Sequence, residues 1–439
     1  MFNGDIMSNL FKKIVIFLTS MLYILCIFLT CFDIWIESLE DDYIVDEVSI
    51  PRIDLDGDIS NMTDKKDERK IKLSYSSDDI SFDKYITIKI QGSSSVRYEK
   101  KNYTIKLYND EECSDKYRID MGWGKEYKYV LKANWIDKTH SRNILSARIT
   151  KDIYAKYDIL TDVKTRGEID GFPVEVYNNG EFLGLYTFNI PKDAWLFGLD
   201  EDNPNHLAFE AEYSNSQTRF KKKVYEYDAW TLEVGVENDE NLAKLNRVID
   251  FITKSTDEEF RENFDKYFDF DTTMTYYIMT NALLLRDNYA KNLMLITYDG
   301  EVWYPILYDL DTSFGSNPYG SSLYDNDFSC EIERNELFKR FSEVYSDEIA
   351  ERYFELRLDI LSEDNLKAKL DEFMAGIPIS VIHKEMDRWG EIPGYGVGQM
   401  RDFINNRFIY LDEVMAAKYS AIPDCDLDKN NNYCKVLSS

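Results

Sequence analysis

Residues 284–315 read LLRDNYAKNLMLITYDGEVWYPILYDLDTSFG, and the rest of the chain is organised around this stretch. An acid, Asp287, is followed five residues later by an amide, Asn292, and two further acids, Asp309 and Asp311, stand just ahead of Phe314-Gly315. NLMLITY and VWYPILY read as two strands, and Asp299-Gly300 between them is the residue pair a tight hairpin turn prefers. Before them, Asp271 to Leu285 is strongly apolar and reads as a central, buried helix. A hairpin turning at Asp299-Gly300 carries Asn292 and Asp309 back toward Asp287, which the end of that helix would hold rigidly. In an extended chain Asp309 and Asp311 point to the same side. Carboxylate and amide oxygens are hard donors suited to magnesium, and a placed carboxylate can take a proton from a hydroxyl. The competing reading is that these residues merely cap helices and turns.

Upstream, period-two alternation gives strands at Val45 to Ile59, Ile71 to Tyr75, Tyr85 to Ile90 and Tyr103 to Leu107, so the first third is a sheet with one buried face. Between the last two lies Gln91-Gly-Ser-Ser-Ser95 and then VRYEKK. Its backbone amides, with Ser93 and Ser94, suit close approach of a polyphosphate, and cations follow at Arg97 and Lys101. Tyr127 to Trp135 is another strand. Asp137 to Lys156 is amphipathic and helical, with Asp137 or Thr139 able to cap it. Gly171 to Phe188 is a hairpin turning at Asn179-Gly180. Pro191 to Tyr227 shows no regular pattern. Helices are expected at 242–253 and 257–267, and again over 349–361, 363–375, 379–389 and 399–415. Strands first and helices later, with no long linker, give an α+β chain built as one large two-lobed domain.

The 439 residues carry a formal net charge of −29, which excludes a general nucleic-acid binder, since phosphate contacts demand a basic face. Only three histidines, and no C-x-x-C pair, leave little for a zinc site. Residues 14–32, IVIFLTSMLYILCIFLTCF, form a charge-free run of nineteen, long enough to cross a bilayer as a helix. Lys12-Lys13 precede it and acids follow, so the chain is expected to be a single-pass membrane protein with its N-terminus in and the rest outside. A cleaved signal peptide is the rival, but Cys31-Phe32-Asp33 is not a small-residue cleavage site. The expected organisation is 1–13 cytoplasmic, 14–32 anchor, 33–44 acidic linker, 45–420 folded domain and 421–439 acidic, Asn-rich tail. Cys425 and Cys434 in that tail either close a small disulfide loop, if the compartment is oxidising, or stay free.

An acid, an amide and further acids in this order is the arrangement that phosphoryl-transfer sites use for a base and two metal ions. Several blocks then agree in order: Ile50-Pro-Arg-Ile53, QGSSSVRYEKKNYTIKL (91–107), LKANWIDKTHSRN (131–143), YNNGEFLGLYTF (177–188), RDNYAKNLML (286–295) and YPILYDLDTSFG (304–315). In these the chain, over roughly Val45 to Tyr419, resembles the spore-coat protein H (CotH) kinase-like family of atypical protein kinases. The resemblance implies a divergent protein-kinase-like fold, ATP and Mg²⁺ as cofactors, and a protein partner that accepts phosphate on Ser or Thr. It places the essential acids at Asp287 and in the Asp309-Leu-Asp311 segment, and matches Lys100-Lys101 and Lys106 to the nucleotide-contacting region. In this reading Asp287 is the base or a metal ligand, Asn292 and Asp309 are metal ligands with Asp311 as a second candidate, and Arg97, Lys101, Lys106 and Lys132 contact phosphates. Two departures stand out. The family's Arg-Gly-Asn-Ser-Ser loop is here Gln91-Gly-Ser-Ser-Ser95, and Thr187-Phe-Asn-Ile-Pro follows Tyr186 where an acidic residue is usual. The altered loop, with the expected placement outside the membrane, leaves room for a non-catalytic surface binding or adhesion module on the same fold. A glycosidase is disfavoured, because its two carboxylates must flank the scissile bond and Asp309 and Asp311 lie on one segment.

Overall fold

The computed structural model describes residues 48–418 except Ser93, together with Met21. The expected anchor at 14–32, the acidic linker at 33–44 and the tail cysteines Cys425 and Cys434 lie outside the described residues. Among the described residues no helix is long and apolar enough to cross a membrane. The chain divides into Met1–Val48 and Ser49–Ser439, and the architecture below is that of the second unit. It is a mixed α+β structure.

Its first part is a closed barrel. In chain order come β1 (Arg52–Asp56), β2 (Glu68–Ser76), β3 (Ser81–Gln91), β4 (Asn102–Tyr108), a small hairpin of β5 (Ile119–Asp120) and β6 (Lys125–Glu126), then β7 (Lys128–Lys132). Helix α1 (Arg142–Lys156) intervenes before β8 (Gly171–Asn178) and β9 (Glu181–Asn189). The barrel order is β1-β2-β3-β4-β7-β9-β8, closed by a parallel pairing of β1 with β8. Alternation decides what fills it: Ile53, Leu55, Leu73, Ile86, Ile88, Ile90, Ile105, Leu131, Val176 and Phe188 point inward into one apolar core. The intervening Thr104, Lys106, Lys128 and Lys132 consequently stand on the outer surface of β4 and β7.

The second part begins with α2 (Ala194–Phe197), β10 (Leu207–Ala211) and β11 (Trp230–Val234), followed by α3 (Asp239–Lys254), α4 (Asp257–Asn263) and α5 (Phe270–Ala282). Then come β12 (Leu293–Thr297), β13 (Tyr304–Leu307), α6 (Glu336–Val344), α7 (Ser346–Arg357), α8 (Glu363–Ala375), α9 (Ile379–Trp389) and α10 (Val397–Lys418). A four-stranded sheet runs β11-β10-β12-β13, and a large core of its own surrounds it. The hairpin expected at Asp299-Gly300 forms: the Asp299 carboxylate accepts from the amides of Glu301 and Val302 at 2.7 and 2.9 Å, and Gly300 takes a φ of 74°. Helix α5 is buried on every side, and Asp269 caps it by accepting from the Thr272 amide at 2.8 Å.

Three expectations are corrected. Helix α1 starts at Arg142, five residues later than 137, because residues 137–141 are spent on a turn in which Asp137 accepts from the Thr139 and Arg142 amides. β10 lies inside 191–227, where no pattern was expected; all five of its residues are buried, which erases alternation. Helix α6 was also unforeseen.

One fastening ties α9 to the barrel. Lys100 and Glu385 are buried and paired at 2.5 Å, with side-chain exposures of 0 and 5%. Lys100 also donates to the Ala133 and Leu185 carbonyls, and Glu385 accepts from the Leu185 amide at 2.7 Å. Residue 184 must be glycine here: a Cβ would sit 2.7 Å from Lys100 Cε and 2.9 Å from Glu385 Oε2, on a φ of 153°.

Candidate active site

The end of α5 leads through Leu283–Leu285 into a single 3-10 turn, Asp287–Tyr289. Buried Asn288 locks this turn. Its side-chain amide donates to the Tyr308 carbonyl at 2.8 Å, and its own carbonyl accepts from the Tyr276 hydroxyl at 2.5 Å. The turn bearing Asp287 is thus tied to the residue immediately before Asp309. Asn292 and Asp309 both adopt left-handed backbone, φ 58° and 55°, a conformation Asn and Asp tolerate better than most side chains. In the hairpin register Leu293 faces Leu307, which sets Asn292 opposite Tyr308; its amide donates to the Ala211 carbonyl at 2.9 Å.

The segment after β13 is not extended, contrary to expectation. β13 ends at Leu307, and the chain turns because α1 and α5 hold it at successive points. The Asn143 side chain accepts from the Leu310 amide at 2.9 Å, Arg142 donates to the Ser313 carbonyl at 2.6 Å, and the Phe314 amide donates to Leu283 O at 3.0 Å. Asp309 and Asp311 still share one electrostatic site. Lys132, from the outer face of β7, meets Asp309 at 3.0 Å. Burial works to raise the Asp309 carboxyl, but Lys132, then Lys291 and Lys192, outweigh it and hold it below the usual carboxylate range. At Asp311 burial, then the Asp309 charge, push the carboxyl up to about 7, and Asp287 adds to the same negative field. Burial works to lower Lys132, yet Asp309 and Asp311 hold it above its ordinary value.

The structure therefore brings together Asp287, Asp309, Asp311 and Lys132. Asn292 stands just before β12, opposite the residue that precedes Asp309, and the remaining expected residues are placed differently. Lys101 donates to the Val96 and Tyr98 carbonyls of its own loop. Lys106 lies on the outer barrel face across from Thr87 and Lys128. Arg97 is exposed at the end of the 3-10 turn Ser94–Arg97, while Ser93 and the Ser94 side chain lie outside the described residues. Gly92 permits that loop's tight fold: with φ 117°, a Cβ there would lie 1.9 Å from Ser95 Oγ.

Sequence reasoning missed several members. Lys291 reaches Asp287 at 3.4 Å, and Asp287 and Asp309 hold it above its ordinary value against the effect of burial. Its position four residues after Asp287 was a usable signal. Tyr98, in the Gly92–Lys101 loop, has its hydroxyl pushed up by burial and then by Asp311, which sets the loop beside the acids. Lys192 pairs with buried Glu210 and, at 3.2 Å, with Glu233, and stands 4.7 Å from the Tyr308 ring centroid. Nothing in the irregular segment around it marked it.

Among the described residues no three His, Cys, Asp or Glu side chains gather into a metal cage. The donor set nonetheless fits magnesium, which commonly takes one or two carboxylates and completes its octahedron with substrate oxygens and water. The like-charged pair Asp309 and Asp311, with one member displaced to about 7, is the arrangement a divalent cation would relieve.

The sequence comparison agrees with this geometry. A family model described as CotH kinase protein matches residues 88–411, most of the chain, and the chain belongs to that family. No curated protein matches it.

Proposed function

We propose that this CotH-family protein transfers the γ-phosphoryl group of ATP to a Ser or Thr hydroxyl of a protein substrate. The observation that carries the reading is the meeting of Lys132 from the barrel with Asp309 from the second part, beside Asp287 and Asp311. The barrel and the helix-rich second part then correspond to the two lobes of a divergent kinase-like fold. Asp287 orients the acceptor hydroxyl and takes its proton as that oxygen bonds to the γ-phosphorus and the bond to the β-phosphate oxygen breaks, leaving ADP. Asp309, Asp311 and Asn292 would hold Mg²⁺, which supplies charge neutralisation for the phosphates. Lys132 keeps Asp309 ionised, and Lys132 and Lys291 both contribute positive charge at the phosphates. The loop Gly92–Lys101 covers the phosphates with backbone amides.

We further propose that residues 14–32 anchor the chain with the domain facing away from the cytoplasm. A binding module with little turnover is the second reading, and this placement favours it because ATP is supplied on the other side. It is also supported by Lys101, whose ammonium is engaged by its own loop's carbonyls.

The test is label transfer from ATP by the 45–439 protein with Mg²⁺ and an acceptor protein. Asp287→Ala and Asp309→Ala should each lose at least about a hundredfold. Equal transfer by both variants and the parent would refute the assignment. No thermal shift with ATP and Mg²⁺ would favour the binding module.

A further inference from the structure

The turn that carries Asp287 is gripped from outside the acidic site. Arg286, directly before Asp287, pairs with Glu331 at 3.1 Å and donates to the Ser329 carbonyl at 3.0 Å. Its guanidinium lies 5.2 and 4.5 Å from the ring centroids of Tyr324 and Phe328, which stack on each other. The same Glu331 oxygen meets Arg334 at 2.8 Å, and Arg334 lies 5.5 Å from the ring of Tyr289, the last residue of the Asp287 turn. Glu331 therefore reaches both ends of that turn through two arginines. Its backbone is left-handed, φ 58°, an unusual conformation for glutamate that the surrounding bonds must sustain. The Arg334 hydrogen bond, then the fields of Arg286 and Arg334, hold its carboxyl below the usual range, so it stays charged at neutral pH.

The covalent path gives this bridge its meaning. Glu331 ends the segment that leaves Asp309, Asp311 and Gly315 and returns along the surface. That segment is held on its way by Tyr324 N donating to Gly315 O at 2.8 Å and by Arg407 donating to Asn326 O and Phe328 O at 2.6 and 2.8 Å. Beyond Glu331, Asn335 donates to the Tyr289 carbonyl at 2.9 Å and caps α6. The acids sit on two separate pieces of chain, Asp287 on one and Asp309 and Asp311 on the other. The Glu331 bridge fastens the far end of the second piece to the first.

We propose that Glu331 is a positioning residue for phosphoryl transfer: through Arg286 and Arg334 its carboxylate fixes the Asp287 turn in register with the Asp309–Asp311 segment. This rests on the transfer reading above for its catalytic consequence, though the positional claim stands on the bridge itself. A purely structural ion pair would affect melting temperature without changing turnover per folded molecule.

The test uses full-length protein and two measurements, hydrogen exchange and steady-state kinetics, on Glu331→Gln and Glu331→Asp. In Glu331→Gln, amides in 285–291 should exchange about tenfold faster while those of β12 keep the parent rate. The turnover number should fall roughly 10- to 100-fold with the KM for ATP within about twofold of the parent, as expected for a displaced group that does not bind nucleotide. Glu331→Asp, which keeps the charge, should recover part of both. Unchanged exchange in 285–291 overturns the proposal, as does accelerated exchange with unchanged turnover. If the parent protein transfers no phosphate, the transfer reading falls by itself, and exchange in 285–291 alone decides the positional claim. Should Glu331→Gln fail to fold, Arg334→Gln removes one arm of the bridge and is judged by the same two readouts.

Discussion

Replacing Glu385 by Gln strands the Lys100 ammonium in the wall between α9 and the barrel. Lys100 and Glu385 exclude water almost completely and meet at 2.5 Å. Breaking such a pair from one side costs about 3–5 kcal/mol, because the remaining charge keeps its desolvation penalty and loses its partner. Lys100 is already pulled to about 8 by burial, with Glu385 opposing. An ordered domain of roughly 370 residues has an unfolding entropy near 0.8 kcal/mol per kelvin, so the melting temperature should fall by about 4 to 6 °C. Calorimetry of the parent, Glu385→Gln, Lys100→Met and the double variant at pH 7 measures the loss and the coupling. A shift below about 1 °C, or additive single effects, would refute the reasoning. The pH dependence has a defined sign. The folded amine titrates at about 8 and the unfolded one near 10.5, so between those values the unfolded chain binds more protons. Stability of the parent relative to Lys100→Met should therefore rise with pH across that window.

Two other outcomes follow from the acidic site. Lys132→Met removes the 3.0 Å partner of Asp309 and should lower phosphoryl transfer by roughly 10²- to 10³-fold, measured as label incorporation at saturating ATP. Asp311→Asn should stabilise the protein free of metal, because the folded carboxyl titrates at about 7 against an ordinary 3.8. The folded state then holds the extra proton between those values, so parent stability falls as pH rises from about 4 to about 7. The variant should lead by roughly 1–3 kcal/mol at pH 7, less than the three-unit shift alone converts to, since the side chain is not fully buried and solvent screens part of the repulsion. A melting temperature at pH 7 equal to or below the parent's would count against the repulsion between Asp309 and Asp311.

The sequence disclosed what alternation and turn chemistry encode. β2, β3, β4 and the hairpins at Asn179-Gly180 and Asp299-Gly300 were legible because one face of each strand is buried and each turn needs its own residue types. β10 was not, since LAFEA is buried throughout and too short to outvote the irregular chain around it. At the site, Asp287, Asp309 and Asp311 were legible as a spaced set, but not the bend that separates the last two. That bend is enforced by Asn143 and Arg142, more than 160 residues upstream, through bonds no local pattern records. Lys291 could have been read from its helical spacing to Asp287. Lys192 acquires its position from a crossover that only the folded barrel defines.

The parallel seam between β1 and β8 has a practical consequence. The family match begins at residue 88, inside β3, so β1, β2 and most of β3 precede it. Those strands are nonetheless staves of the same barrel. A chain trimmed to the matched span would leave β8 with a free row of amides and carbonyls and cut β3 to a stub against β4. Exposed strand edges of that kind recruit other chains. Such a truncated protein should aggregate even with every candidate site residue present. The smallest self-sufficient unit must therefore include Arg52, which opens β1, long before the first residue of chemical interest.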